Sequence, residues 1–184
     1  VDQNLKINEY GVFQGEDDDE ERIAGCTEEE VFAAVGLPYI EPELRENWGE
    51  IEAAQKDKLP SLVTLKDIRG DLHCHTDRTD GTASIGEMVD AAKNRGYDYL
   101  AITDHSKAVS VARGMNEKEL RKHVDRVREA ADSTSGIRVL AGVEVDILKD
   151  GKLDLAEKTL RDLDWVVASV HSHFRLSRDA MTDR

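Results

Sequence analysis

Histidine and carboxylate side chains recur at short, regular intervals in the second half of the sequence. "DLHCHTDRTDG" spans residues 71–81 and brings His73, His75 and Asp80 close together along the chain. Asp104 and His105 close the phrase "YLAITDH", Glu144 sits within "GVEVDI", and His171 and His173 within "SVHSHF". Imidazole and carboxylate groups that converge on one place are the donors that borderline and hard divalent cations take. Alternate side chains of a strand share a face, so His73 and His75 should project together while Cys74 projects the other way. A free cysteine in that position reads as a small core residue rather than a ligand. Asp80 has two readings, because "TDGT" is also an Asp-Gly turn signal.

The elements that must position these groups are legible from residue 69 onward. "RGDLHCH", "YDYLAITDH", "IRVLAGVEVDI" and "WVVASVH" read as strands. Helices alternate with them. "SIGEMVDAAKNRG" carries a capping box from Ser84 to Glu87 and stops at Gly96; "NEKELRKHVDRVREAAD" is capped by Asn116 with Glu119 three residues on. "LAEKTLRDL" should form a third helix. Strands alternating with helices predict a parallel sheet, barrel or doubly wound, whose carboxyl-terminal strand ends share one face. Five of the six histidines fall at those ends. The sixth, His123, lies among charged residues in "LRKHVDR" and reads as surface.

Composition limits the remaining possibilities. The 184 residues carry a formal charge of −14, with 39% hydrophobic and 35% charged residues. Residues 1–68 hold 6 Lys and Arg against 18 Asp and Glu, so the acidity belongs to the first third. The run "EDDDEE" at 16–21 reads as a solvated loop, since adjacent like charges repel when packed. The remainder is close to neutral, and the overall charge therefore does not exclude a nucleic-acid substrate. No apolar run approaches the roughly 20 residues needed to span a bilayer. Cys26 and Cys74 form no disulfide framework, and the expected location is cytoplasmic. Upstream, "TEEEVFAAVGL" predicts a helix with Thr27 as N-cap and Gly36 as stop, followed by an ordered loop with a short helix.

Taken together, "DLHCHTDRTDG", "YLAITDHS", "GVEVDI" and "SVHS" resemble the PHP (polymerase and histidinol phosphatase) family of metal-dependent phosphoesterases. "KINEYGVF", "AGCTEEEVFAAVGLPYIEPELREN" and "GEIEAA" are similar to the end of the thumb in bacterial and archaeal family X DNA polymerases. The resemblance implies three segments: a small α+β thumb end at 1–48, a linker at 49–68, and a PHP domain at 69–184. It implies an α/β fold, namely the first four β/α units of a distorted seven-stranded barrel.

The same resemblance implies a ligand set. His73, His75 and Glu144 would hold one metal, Glu144 would bridge to a second that also takes His171, and Asp80 and His105 would hold a third. Mn or Zn clusters of this kind bind a phosphate, activate water and stabilise developing charge. Glu144 and His171 would be central to catalysis, and Asp104 would act from behind, orienting His105 or capping its strand. Ser106, Lys107, Arg175 and Arg178 follow ligand-bearing strand ends; they are either solvated surface or phosphate contacts.

The implied activity is 3′–5′ exonucleolytic trimming of DNA 3′ ends, within a repair polymerase. The absent initiator Met suggests a piece of a longer chain. Three further barrel strands, with their ligands, are expected beyond residue 184. Without them each implied metal lacks a ligand and the sheet edge is open, an edge that a second copy could fill in a homodimer. The alternatives are a phosphatase acting on a small phosphate ester and an inert metal-binding module.

Overall fold

The structure, a computed structural model, describes residues 4–15 and 20–184. Packing divides the chain between Leu62 and Val63.

The first unit opens with three short antiparallel strands in the order β1 (Leu5–Asn8), β2 (Gly11–Gln14) and β3 (Glu21–Ala24). Gly11 starts β2 at φ 137°, and a Cβ there would lie 2.4 Å from the Ala24 carbonyl oxygen, so only glycine fits. Residues 16–19 of the acidic run lie outside the described residues; Glu20 pairs with Lys6 at 2.8 Å and Glu21 belongs to β3. Helix α1 (Glu28–Ala34) begins as the sequence predicts, with Thr27 accepting from the Glu30 N–H. The Glu30 carboxylate reaches back to the Gly25 and Cys26 N–H groups at 3.2 and 2.8 Å, and Gly36 follows at φ 74°. A 3-10 turn (Pro42–Leu44) and helix α2 (Glu50–Gln55) complete the unit. Helix α2 falls in the stretch read from the sequence as linker.

The second unit is a curled parallel sheet in the order β4 (Gly70–Cys74), β5 (Tyr99–Ile102), β6 (Arg138–Asp146) and β7 (Trp165–Ser169). Helix α3 (Ile85–Asn94) follows β4, and α4 (Glu117–Ser133) follows β5. Both open on reciprocal capping boxes, Ser84 with Glu87 and Asn116 with Glu119. Each satisfies two otherwise orphaned donors, which is why these boundaries were readable. Apolar stripes from α3 and α4 meet the sheet in one core that includes Val89, Leu120, Val124, Val127, Ile102 and Val143. The segment predicted as a third helix forms only one turn, α5 (Glu157–Leu160). Its N-cap position is Ala156, which has no side chain to receive the first amides. A last helix, α6 (Arg178–Asp183), is capped by Ser177. Among the described residues no helix is long and apolar enough to cross a membrane.

Candidate metal centre

The carboxyl-terminal ends of the four strands deliver the polar residues to one place. His73 is on β4 and His75 just beyond it; Cys74, between them, turns to the core and donates to the Ala101 carbonyl at 3.1 Å. Burial, with the negative fields of Asp71 and Asp104, pushes the Cys74 thiol up to about 12. His105 follows β5 and stays in register with Glu144 of β6 through an isolated parallel bridge. His171 follows β7.

Glu144 is 4% exposed and stands at the centre of four imidazoles. Its Oε2 lies 3.3 Å from His73 Nε2, 3.1 Å from His75 Nε2 and 3.0 Å from His105 Nδ1, while Oε1 lies 3.3 Å from His171 Nε2. Asp80, on the turn after β4, places Oδ1 2.7 Å from His75 Nδ1 and Oδ2 3.3 Å from His105 Nε2. Three groups thereby arise with ligand atoms close enough to share an ion: His73, His75 and Glu144; His75, Asp80 and His105; His105, Glu144 and His171.

The electrostatics are those of a site built around positive charge. Burial lowers the His105 pKa, and the neighbouring His75 and His171 add to the effect against the opposing pull of Glu144 and Asp80. Burial alone would raise Glu144, but Ser169, His73 and the nearby His105 outweigh it and hold the carboxyl below its usual range. Asp80 is likewise held low: the hydrogen bond to His75 and the fields of His105 and His75 outweigh desolvation. His75 Nε2, His105 Nδ1 and Glu144 Oε2 are buried without a hydrogen-bond partner, although they lie within 3.0–3.1 Å of one another's groups. Buried polar atoms are rarely left in that state. Lone pairs aimed at a common point, on imidazole and carboxylate donors, fit a divalent cation.

A second layer lies beneath. Asp104 is fully buried, and of the two roles expected of it, orienting His105 or capping its strand from behind, the first is not met: its carboxylate makes no hydrogen bond to the His105 ring. Its Oδ1 accepts from the Thr76 N–H at 2.9 Å and the Thr79 hydroxyl at 2.5 Å; its Oδ2 accepts from the Thr76 hydroxyl at 2.7 Å and His123 Nε2 at 2.9 Å. Those four donors outweigh the burial cost and keep the carboxyl ionised below its usual range. His123 is therefore not a surface residue: it is 2% exposed. It falls on the stripe of Leu120, Val124 and Val127 at helical spacing, a signal the flanking charges obscured.

Asp146 also escaped the sequence reading, although it shares the parity of Glu144 on β6. Its Oδ1 lies 2.9 Å from His171 Nδ1 and accepts from the His171 N–H at 3.2 Å. Asp154, 8% exposed, in turn accepts from the Asp146 N–H at 3.2 Å and the Ala108 N–H at 2.8 Å.

The remaining candidates are spread more widely. Ser106 is fully buried and its hydroxyl accepts from the Asp146 N–H at 3.1 Å. Lys107 is paired with Glu117 at 2.8 Å. Arg175 and Arg178 are exposed, as is His173, which adopts φ 57°. Among the described residues His173 joins none of the three groups.

Residues 71–183 match the family model described as PHP domain, and residues 1–46 match that of the DNA polymerase beta thumb. A relative in Bacillus subtilis, DNA polymerase/3′-5′ exonuclease PolX, is 40% identical over 169 residues, covering 92% of this chain and 29% of its own length. A probable phosphatase of Acetivibrio thermocellus is 36% identical over 103 residues, 55% of this chain and 40% of the relative. A probable phosphatase of Photobacterium profundum is 34% identical over 103 residues, 55% of this chain and 39% of the relative. The chain thus spans less than half the length of these relatives.

Proposed function

The chain belongs to the PHP-domain family, and from that membership we propose that it is part of a family X DNA repair polymerase. On this reading residues 1–48 close the polymerase thumb, 49–68 link, and 69–184 begin a metal-dependent phosphoesterase that trims DNA 3′ ends. The observation that carries the reading is the ring of imidazoles and carboxylates around Glu144, in one chain with a thumb-like segment. Similarity to PolX along 92% of the chain, against 55% for the probable phosphatases, favours a DNA substrate over a small ester. A DNA substrate and two free cysteines suit a cytoplasmic location.

His73, His75, Asp80, His105, Glu144 and His171 would hold the ions, Mn or Zn. When bound, such ions supply Lewis acidity toward a phosphate oxygen and lower the pKa of water at the site. The protein's part is orientation. Asp146 accepts a hydrogen bond from His171 Nδ1–H, which leaves the Nε2 lone pair facing Glu144; Asp80 does the same for His75, whose Nε2 also faces Glu144. Glu144, ionised and shared by two of the three groups, is the residue on which the others depend. Arg175 and Arg178, exposed just after the β7 end, are our candidates for contacts to the DNA backbone.

The test is Mn-dependent release of the terminal nucleotide from a 3′-labelled single strand, run beside hydrolysis of p-nitrophenyl phosphate. Release that disappears in Glu144→Ala is expected. Equal release from both proteins, or hydrolysis of the small ester with no action on DNA, would overturn the proposal. Bound Mn with neither activity would leave an inert metal-binding unit and overturn the catalytic part.

A further inference from the structure

A histidine in the middle of a core stripe needs a reason. At position 123 a leucine or valine would extend the apolar face made by Leu120, Val124 and Val127. A buried imidazole instead costs desolvation unless it is hydrogen-bonded. The bond that satisfies His123 is to Asp104, at 2.9 Å. The Asp104 carboxylate belongs to none of the three candidate metal groups, and its other three hydrogen bonds all come from Thr76 and Thr79. Those two residues begin and nearly end the turn on which Asp80 stands.

The turn is closed by the Thr79 and Gly81 N–H groups, which both donate to the Thr76 carbonyl at 3.1 and 3.0 Å. Gly81 passes so close that a Cβ would lie 2.5 Å from the His75 carbonyl oxygen. From the side, the Arg113 guanidinium donates to the Asp77 and Thr79 carbonyls. Asp80 itself is half exposed, with 48% of its side chain open to solvent, yet it must meet His75 on one side and His105 on the other. An exposed carboxylate cannot hold such a position by its own packing. Its backbone has to be set from below.

We infer that His123 is a positioning residue, which through Asp104 fixes the Thr76–Gly81 turn and so sets Asp80 between His75 and His105. The consequence for metal binding rests on the function proposed above; the fixing of the turn does not. In the metal-free chain, amide hydrogen exchange at Thr79 and Gly81 should speed up by about tenfold or more in His123→Leu, the factor for losing one hydrogen bond to a charged group. Amides of β5 and β6 should be unchanged. His123→Gln, whose amide N–H can replace Nε2–H, should restore slow exchange. In a Mn titration followed by calorimetry, His123→Leu should weaken binding by about tenfold, and His123→Gln should not.

If His123→Leu does not fold, Thr79→Val supplies the second variant: it removes one donor to Asp104 at nearly constant volume and should loosen the same two amides. Unchanged exchange in His123→Leu, or equal loosening in His123→Leu and His123→Gln, would overturn the inference. Exchange differences as expected, in a wild-type chain that binds no Mn, would sustain the turn-positioning role and overturn the metal reading instead.

Discussion

Two buried carboxylates, one strand apart, are treated in opposite ways. Asp104, at the floor of the strand ends, receives four hydrogen bonds and leaves no donor around it wanting. Glu144, at the mouth, is ringed by four imidazoles, and its Oε2 still has no hydrogen-bond partner. Burial is costly for both, so each must recover the cost elsewhere. The floor recovers it within the protein, as structure. The mouth recovers it largely through Ser169 and the field of its imidazoles and leaves Oε2 without a hydrogen bond, and those unused lone pairs mark the place where a ligand completes the set. Saturation separates a scaffold carboxylate from a ligand carboxylate more sharply than burial does.

Paired substitutions should break this comparison cleanly. Glu144→Ala should weaken Mn binding by more than about 100-fold, beyond what the loss of an outer-layer partner costs, while the metal-free chain stays folded. Asp104→Ala should do the reverse in emphasis. It strands the Thr76, Thr79 and His123 donors, so chemical denaturation should show a loss of about 3 kcal/mol or more, since each buried donor left unsatisfied costs roughly 1–3 kcal/mol. Metal affinity should fall less than in Glu144→Ala. Equal retention of Mn by the two variants would erase the distinction.

Acid should sharpen it. The folded-state pKa of Asp104 is held below its unfolded value, so its contribution to stability is complete above the unfolded value of about 3.9 and fades as pH falls through the lower folded one. Thermal melts of the metal-free chain should therefore lose stability below about pH 4. Asp104→Asn should flatten that limb. An acid limb of unchanged depth would place the titrating group elsewhere.

Smaller effects test the layer between floor and mouth. Asp146→Asn should weaken Mn binding by about tenfold, because His171 loses the acceptor that orients its ring. Cys74 should change nothing at the site. With its thiol pushed up to about 12 it stays protonated at pH 8, so iodoacetamide should label exposed Cys26 and spare Cys74.

The features that were legible in the sequence follow local rules. Capping boxes at Ser84 and Asn116, alternation along β4, and histidines at strand ends are each written within a few residues of chain. What escaped depends on partners distant in sequence. Asp104 and Thr76 are 28 residues apart, and Asp146 and His171 are 25 apart, so neither pairing leaves a local trace. His123 did leave one, in its spacing from Leu120 and Val127, but its charged neighbours masked it. The three strands of the first unit are four residues each and carry too few alternations to stand out. Ser106 and Lys107 were singled out for their place after a strand; the first is buried under Asp146 and the second is committed to Glu117.

The most direct test is to count ions. The metal-free chain would be loaded with Mn, passed through a desalting column and analysed for metal per chain, beside Glu144→Ala. Two or more ions in the wild type, with at most one left in the variant, is the result the shared position of Glu144 predicts. No bound Mn in the wild type, or the same number in both proteins, would contradict it.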